Sequence, residues 1–284
     1  MEIGIIGCGN MGGGMASHLA ASGHDVRCHD ASPETRHRLS HHGLAVEEDI
    51  GRLAEQSNLV LLSLPNAAAV EAVMDAIHDR MHSGSIVVDT STSDPVVTTR
   101  LTSRAERYAF LDAPVSGGPA AACSGTMTML IGGDADALDR ARPVLDVLAS
   151  KIVHVGGPGA GHAAKIANNM LCAANLVLVA EAVRLGEAAG ISGGDLLEGV
   201  NAGSGRSGVS EVNFPKWILS ETFDSGFTMG LMRKDVRLAQ SLAKRLDVPM
   251  KAFETVAAIW SASAEKLDDN ADFNAITKLA GQKP

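Results

Sequence analysis

Aromatic residues are scarce, at 3% of 284, with a single Tyr and two Trp. A surface that stacks nucleic-acid bases needs such rings, so their scarcity argues against one. Basic residues are also in deficit: 24 Lys plus Arg face 33 Asp plus Glu, for a formal charge of −9. Neutralising a phosphate backbone takes a basic face, so no nucleic-acid partner is expected. Only four cysteines occur, Cys8, Cys28, Cys123 and Cys172, with no C-x-x-C pair. That excludes a disulfide framework and a structural zinc site, and it points to reduced thiols in the cytoplasm. The histidines lie singly or in polar runs, and adjacent His41 and His42 cannot share a helix face, so no metal site is expected. Long hydrophobic runs are missing too. The most apolar stretch, Met170 to Ala180, is interrupted by Asn175 and falls short of the ~20 residues that span a bilayer. It reads as a helix buried on nearly all sides, with no membrane contact. The opening Met1-Glu2-Ile3-Gly4-Ile5-Ile6-Gly7 has neither a basic start nor a cleavage site, so no signal peptide is expected.

What is abundant is hydrophobic residues, 45%, and glycine, 30 residues. The first is enough for a substantial core. The second points to tight turns and close approach of backbone to a ligand. Up to about residue 155, short apolar runs alternate with helical patterns, which is the signature of a parallel α/β sheet. Strands are expected at Glu2–Ile6, Asp25–His29, Leu59–Ser63, Ile86–Val88, Tyr108–Leu111, Met127–Ile131 and Ile152–Val155. Ser32-Pro33 and Asp94-Pro95 each open a helix, with proline at its first position. Past Gly156-Gly157-Pro158-Gly159 the strand pattern stops. Ala160 to Ala189 reads as one long helix, followed by helices at Gly194–Ala202, Glu211–Leu219, Phe227–Leu246 and Met250–Asp268 and a shorter one ending near Leu279. The length and this change of pattern predict two domains, residues 1–160 and 161–284.

Strand Glu2–Ile6 runs straight into Gly7-Cys8-Gly9-Asn10-Met11-Gly12 and then a helix. This is G-x-G-x-x-G in the context that gives it meaning. Gly7 permits the turn, Gly9 admits a pyrophosphate, and Gly12 lets helix and strand pack closely. Asn10 and Met11 lie between them as further cofactor contacts. The next strand ends at Asp30, about 20 residues on, where an acid bonds a ribose 2′-hydroxyl and repels a 2′-phosphate. NAD is therefore expected over NADP, although Arg27 and Arg36 nearby keep NADP open.

The stretch Gly7 to His18 resembles the signature of the β-hydroxyacid dehydrogenases, a family that includes 3-hydroxyisobutyrate dehydrogenases and tartronate semialdehyde reductases. Three more segments match in order: Asp112-Ala113-Pro114-Val115-Ser116-Gly117-Gly118, then Gly159 to Asn169, then Lys234-Asp235. The resemblance covers most of the chain. It implies an α/β fold class: an N-terminal Rossmann-type dinucleotide-binding domain, then an all-α domain entered through a long interdomain helix. It also implies homo-oligomers, homodimer or homotetramer, and a small carboxylate-bearing hydroxyacid or semialdehyde as substrate.

Hydride transfer at an alcohol carbon needs a base for the hydroxyl proton, and the reverse reaction needs an acid. Lys165 sits early in the long helix, where burial would bring its amine towards working range, and the resemblance makes it the catalytic lysine. Asn169, one turn on, faces the same way and can orient the lysine or the substrate oxygen. Ser116, with the bare N–H groups of Gly117 and Gly118, forms a concavity for a carboxylate, which is how the resemblance uses it. The resemblance places Lys234 near nicotinamide and substrate, with Asp235 holding it or a neighbouring element. Leu64-Pro65-Asn66 and Ser91-Thr92 follow strand ends, where open α/β sheets bind ligands, and the resemblance puts cofactor contacts there, with Thr92 the better candidate of its pair. Arg206, in a glycine-rich loop, is a candidate for a second acidic group on the substrate.

These features read together as an NAD-dependent dehydrogenase or reductase interconverting a small β-hydroxyacid and its semialdehyde, with Lys165 as general acid/base. The alternatives are an NADPH-dependent semialdehyde or imine reductase and, in another class, a non-catalytic NAD-sensing protein. Phosphogluconate dehydrogenases need a much larger second domain, and imine reductases generally lack the lysine.

Overall fold

A computed structural model describes residues 1–279; residues 280–284, the end of the expected second domain, lie outside it. The chain divides into two compact units, Met1–Lys165 and Ile166–Pro284.

The first unit opens β1 (Glu2–Ile6), α1 (Asn10–Ala21), β2 (Asp25–His29), α2 (Pro33–His41), β3 (Ala45–Val46) and α3 (Ile50–Gln56). It continues β4 (Leu59–Leu62), α4 (Ala67–Ile77), β5 (Ile86–Asp89), α5 (Pro95–Arg104) and β6 (Ala109–Asp112). Then come β7 (Val115–Ser116), α6 (Gly118–Ser124), β8 (Met127–Gly132), α7 (Ala135–Leu148) and β9 (Ala149–Gly156). Local chemistry sets the helix starts. Ser32 caps α2 by accepting the Thr35 N–H, and Asp94 caps α5 by accepting the Val96 N–H, each with proline next.

The sheet order is β3-β2-β1-β4-β5-β6-β8-β7, with β9 added on β8. Strand order reverses between β1 and β4, and the crevice beyond their carboxyl ends is where such sheets take ligands. β1, β4 and β5 are buried almost throughout, which explains their unbroken apolar runs. One core forms on the α1, α6 and α7 side around Ile5, Met15, Leu61, Val88 and Leu145. The other covers the opposite face around Val60, Leu62, Met74, Val87 and Phe110.

The sheet is not parallel throughout, as the strand-and-helix alternation had led us to expect. β8 runs antiparallel to both β6 and β7: the link from β7 to β8 holds only the seven-residue α6, shorter than the dozen or so residues a parallel crossover needs. The last strand is also longer than Ile152–Val155: it begins at Ala149 and includes exposed Ser150 and Lys151.

The 29-residue helix α8 (Ala160–Ala188) leads out of the first unit. In the second unit follow α9 (Gly193–Ala202), a wide π-type helix at Val209–Ile218, α10 (Met229–Arg245), α11 (Lys251–Ala262) and a final 3-10 segment, Phe273–Leu279. The core here gathers Ala173, Leu176 and Val177 of α8 with Phe214, Met232, Phe253 and Trp260. Among the described residues this unit has no named strand, and its sole bridge joins Thr228 and Asp272.

Three expectations are corrected. Residues 211–219 do not form an ordinary α-helix: Pro215, which has no N–H to donate, lies inside the segment, and its turns widen. The expected helix Met250–Asp268 ends at Ala262 and passes into a 3-10 turn. There Ser263 donates its hydroxyl to the Trp260 carbonyl, and buried Arg233 ties down Ser263, Leu267 and Asp269. Finally, Met170–Ala180 is not buried all round. Leu171 and Leu178 are 57% and 55% exposed, and Leu185 continues the same row seven residues on. By length and composition the whole of α8 also suffices to cross a membrane, which the shorter run did not; 44% of its most apolar window is buried inside the protein.

Candidate active site

The turn after β1 is built for close approach. Gly7 has φ +88°, a conformation that L side chains rarely adopt, and a Cβ there would collide with the Ser63 carbonyl. A Cβ on Gly12 would collide with the Gly7 carbonyl oxygen. At Gly9, by contrast, a Cβ would meet nothing within 4 Å. The first and third glycines are thus demanded by packing, whereas open space lies beside the second. Gly9 is also the N-cap of α1, and no side chain caps it. The first N–H groups of the helix, from Asn10 and Met11 on, therefore face that space, as an anionic pyrophosphate requires. The residues present fit a dinucleotide.

Asp30, at the end of β2, is committed to this turn. Its Oδ2 accepts the Cys8 N–H at 2.7 Å and its Oδ1 accepts the Ser32 N–H at 2.9 Å. Arg38 donates to the Cys8 carbonyl, and Arg36 to the carbonyls of Asp30 and Ala31. The turn beyond β4 carries Leu64, Pro65 and Asn66. Asn66 caps α4, its Oδ1 accepting the Ala69 N–H at 2.9 Å. Leu64 donates its N–H to the Ser91 hydroxyl at 2.9 Å, so this turn and the Ser91-Thr92 turn beyond β5 are joined. Thr92 is half-buried, while Ser91 is 5% exposed and serves as the organiser of the pair.

Lys165 is 7% exposed, and its Nζ donates to Ser116 Oγ at 2.7 Å. The two motifs, 49 residues apart in sequence, therefore meet at their polar atoms. Gly117, φ +125°, and Gly118, φ +71°, follow Ser116, and the former is exposed. Burial fits the expectation for Lys165, and the direct bond to Ser116 is an addition to it.

In the second unit, Asn169 is 5% exposed and donates its Nδ2 to Asp235 Oδ2 at 2.5 Å. Lys234 Nζ lies 3.2 Å from the other oxygen of Asp235. Asp235 thus holds both an amide and an ammonium. Neighbouring Asn168 is exposed, as its place on the helix implies. Arg206 is exposed in the loop after α9, and the structure joins it to none of the other candidates. Among the described residues no cluster of metal-binding side chains occurs.

Sequence reasoning quoted Ser91, Asp112 and His162 within their motifs but missed the buried group they form with Asp89 and Thr98, all at most 5% exposed. Asp112 accepts the Gly159 and His162 N–H groups, each at 2.8 Å, and so caps the start of α8. Burial pushes the Asp89 carboxyl above the usual carboxylate range, against the attraction of His162. The sequence signal was a histidine inside the Gly159–Lys165 motif, but the hydrogen-bond partners of its ring lie more than 60 residues away.

A glycine cradle at the switch point of a Rossmann-type sheet and a buried lysine on a serine–glycine turn define an NAD(P)-dependent oxidoreductase. Family comparison agrees. Residues 2–156 match the NAD binding domain of 6-phosphogluconate dehydrogenase, and residues 159–280 match the NAD-binding region of NADP-dependent 3-hydroxyisobutyrate dehydrogenase. The chain is 33% identical to 2-(hydroxymethyl)glutarate dehydrogenase of Eubacterium barkeri, over 98% of this chain and 94% of that protein. It is 32% identical to the mitochondrial 3-hydroxyisobutyrate dehydrogenase of Drosophila melanogaster, over 98% and 89%. A solved 3-hydroxyisobutyrate dehydrogenase of Mycobacterium tuberculosis with L-serine superimposes with a TM-score of 0.93 at 30% identity, covering 99% of this chain and all of that one. Solved imine reductases, at 19% identity, share the fold alone. The chain belongs to the β-hydroxyacid dehydrogenase family and is an oxidoreductase acting on CH–OH groups. It binds NAD, with NADP not excluded.

Proposed function

We propose that the protein interconverts a small β-hydroxyacid and its semialdehyde, with Lys165 exchanging the hydroxyl proton. The bond from Lys165 Nζ to Ser116 Oγ carries this reading. It sets a buried amine beside a turn that combines a hydroxyl with the N–H groups of two glycines. Ser116, Gly117 and Gly118 hold the substrate carboxylate, and the reacting hydroxyl then lies within reach of Lys165. A hydroxyl both donates and accepts, so Ser116 can take a proton bond from the ammonium or give one to the neutral amine. The pair therefore suits both directions of the reaction. Asn169, one turn further along α8 and held by Asp235, is the second polar group for the reacting oxygen. Lys234 and Arg206 are further candidates for substrate contact. Gly7, Gly9, Asn10, Met11, Gly12, Asp30, Leu64, Pro65, Asn66 and Thr92 form the cofactor contacts of the first unit, and Lys234 and Asp235 are the candidates in the second. A bound nicotinamide dinucleotide supplies the hydride chemistry. The carboxylate of Asp30 favours NAD.

The domains are read as 1–160 and 161–284. Four free cysteines suit a reducing, cytoplasmic setting. The exposed row Leu171, Leu178 and Leu185 supports a homodimer or homotetramer.

The test is a screen of NAD reduction against 3-hydroxyisobutyrate, L-serine, glycerate, L-threonate, 4-hydroxybutyrate and sulfonated analogues, followed by Lys165→Ala. The variant should keep NADH affinity and lose about 100-fold or more of turnover. Turnover within a few-fold of the parent would reject Lys165 as acid/base. NADH binding without turnover of any hydroxyacid would favour the non-catalytic sensor.

A further inference from the structure

The buried histidine in the first unit has no part in the chemistry above, yet it is bonded to the turn beyond β5, to α5 and to the end of β6. His162 is fully buried. Its Nε2 lies 3.0 Å from the Ser91 carbonyl oxygen and its Nδ1 lies 2.8 Å from Thr98 Oγ1. A carbonyl only accepts, so Nε2 carries a proton, and in the neutral ring Nδ1 then accepts the Thr98 hydroxyl, whose other acceptor, the Asp94 carbonyl, is farther at 3.4 Å. The two nearest carboxylates are Asp89 Oδ2, 3.7 Å from Nε2, and Asp112 Oδ2, 3.9 Å from Nδ1. Each is committed to backbone: Asp89 Oδ1 accepts the Ser91 N–H, and Asp112 accepts the Gly159 and His162 N–H groups. Ser91 in turn accepts the Leu64 N–H.

A continuous chain of bonds thus runs from the turn beyond β4, through Ser91, to the imidazole, and three residues along α8 to Lys165. We infer that His162 is a positioning residue for the reaction proposed above, fixing the register between the two cofactor turns and the ammonium of Lys165. A misplacement of about 1 Å in such an alignment costs up to 100-fold in rate. A side chain that only filled space would affect stability and leave the alignment intact.

The test uses the full chain and two variants, His162→Leu and His162→Gln. Leu keeps an apolar body and loses both bonds, whereas the Gln amide can still donate to Ser91 and accept from Thr98. The expected result is a kcat at least tenfold lower for H162L, with substrate KM within about twofold, and recovery to within about threefold of the parent in H162Q. H162L turning over within twofold of the parent, whatever its melting temperature, overturns the inference, as does H162Q as impaired as H162L. Nitrogen-15 chemical shifts of the histidine rings in the parent protein without cofactor provide a readout independent of activity and of any folding defect. They should show His162 protonated at Nε2, and a neutral ring protonated only at Nδ1 overturns the inference. Because this rests on Lys165 as acid/base, the Lys165→Ala result separates the two failures: an active K165A rejects the mechanism, while an inactive K165A beside a fully active H162L rejects only the role of His162.

Discussion

Replacing Asp112 by Asn changes one oxygen for one NH2 group, and the structure fixes what that does. Both carboxylate oxygens of Asp112 accept N–H groups at the start of α8, Gly159 at Oδ1 and His162 at Oδ2, each at 2.8 Å, with the side chain fully buried. Bonds to a charged acceptor contribute about 1.5–3 kcal/mol each, and a buried donor left without an acceptor costs about 1–3 kcal/mol. Asn can satisfy one of the two N–H groups, and its own NH2 then faces the other. One charged bond is lost and one donor is orphaned. Neutralising a buried charge gives part of that back, which leaves a loss of about 3 kcal/mol. For a unit of this size, 1 kcal/mol moves Tm by about 2–4 °C, so D112N should melt about 6–12 °C below the parent. Calorimetry at one pH, with cofactor absent, measures this directly. Amide exchange should locate the weakening at Ala160–Lys165, and kcat should fall with it because Lys165 ends that turn. A D112N protein melting within 2 °C of the parent, with unchanged exchange at the start of α8, would refute the capping argument.

Other perturbations test other parts of the structure. Gly12→Ala drives a methyl into the Gly7 carbonyl and within 3.1 Å of Ser63 Cβ; the turn must open, at about 1–3 kcal/mol of stability and at least tenfold in NADH affinity by fluorescence titration, and unchanged affinity would show that the cradle is not the phosphate site. Asp89→Asn tests the raised carboxyl: because its folded pKa lies above the unfolded value of about 3.9, the parent loses stability as pH rises from about 4 through the raised value, and the neutral variant does not. Urea midpoints of the two proteins should therefore diverge in favour of D89N on going from pH 4 to 8, and parallel curves would contradict burial as the cause. Asp235→Ala frees the Asn169 amide and removes the oxygen beside Lys234; kcat should fall about tenfold or more with folding retained in circular dichroism, whereas unaltered kcat would remove Asp235 from the site. Leu171→Glu with Leu178→Glu puts two charges in the exposed row of α8; light scattering should report a smaller assembly, and a parent already monomeric would end the oligomer reading.

Where local pattern decides, the sequence was readable. β1 and β2 fall at their expected residues, and the caps of α2 and α5 follow from Ser-Pro and Asp-Pro. β3 and β7, at two residues each, are too short to show a period, and strand direction leaves no periodic trace, so the antiparallel placing of β8 was hidden. β9 extends through Ser150 and Lys151, polar positions that an apolar-run criterion passes over. The wide helix at Val209–Ile218 and the early end of α11 depend on how single residues, Pro215 and Ser263, treat the backbone ladder. In the site the same division holds. The glycines and Lys165 stand out within short motifs. The partners of Lys165 and His162 were out of reach, since Ser116, Ser91 and Thr98 arrive from 49 to 71 residues away through the sheet.

That division has a physical reason that bears on how the site works. A parallel sheet collects at one edge the residues that end its strands, however far apart they lie in the chain. Asp89 ends β5 and Asp112 ends β6, paired side by side in register. Two carboxyl groups buried at adjacent strand ends repel each other when charged and lose their hydration, and donors brought to the same edge offset part of that cost. The start of α8 brings them: two N–H groups to Asp112 and an imidazole within 4 Å of both acids. The helix that carries Lys165 is therefore fixed by the same N–H groups that satisfy Asp112, with its imidazole beside the Asp89 oxygen that has no hydrogen bond among the described residues. The position of the Lys165 amine and the electrostatics of the sheet edge cannot be changed independently. Substitutions at Asp89, Asp112 and His162 should accordingly be non-additive, and the double variant D112N/H162L should lose less stability than the two single losses together. A double-mutant cycle that sums to within about 0.3 kcal/mol would show Asp112 and His162 to be separate supports rather than one.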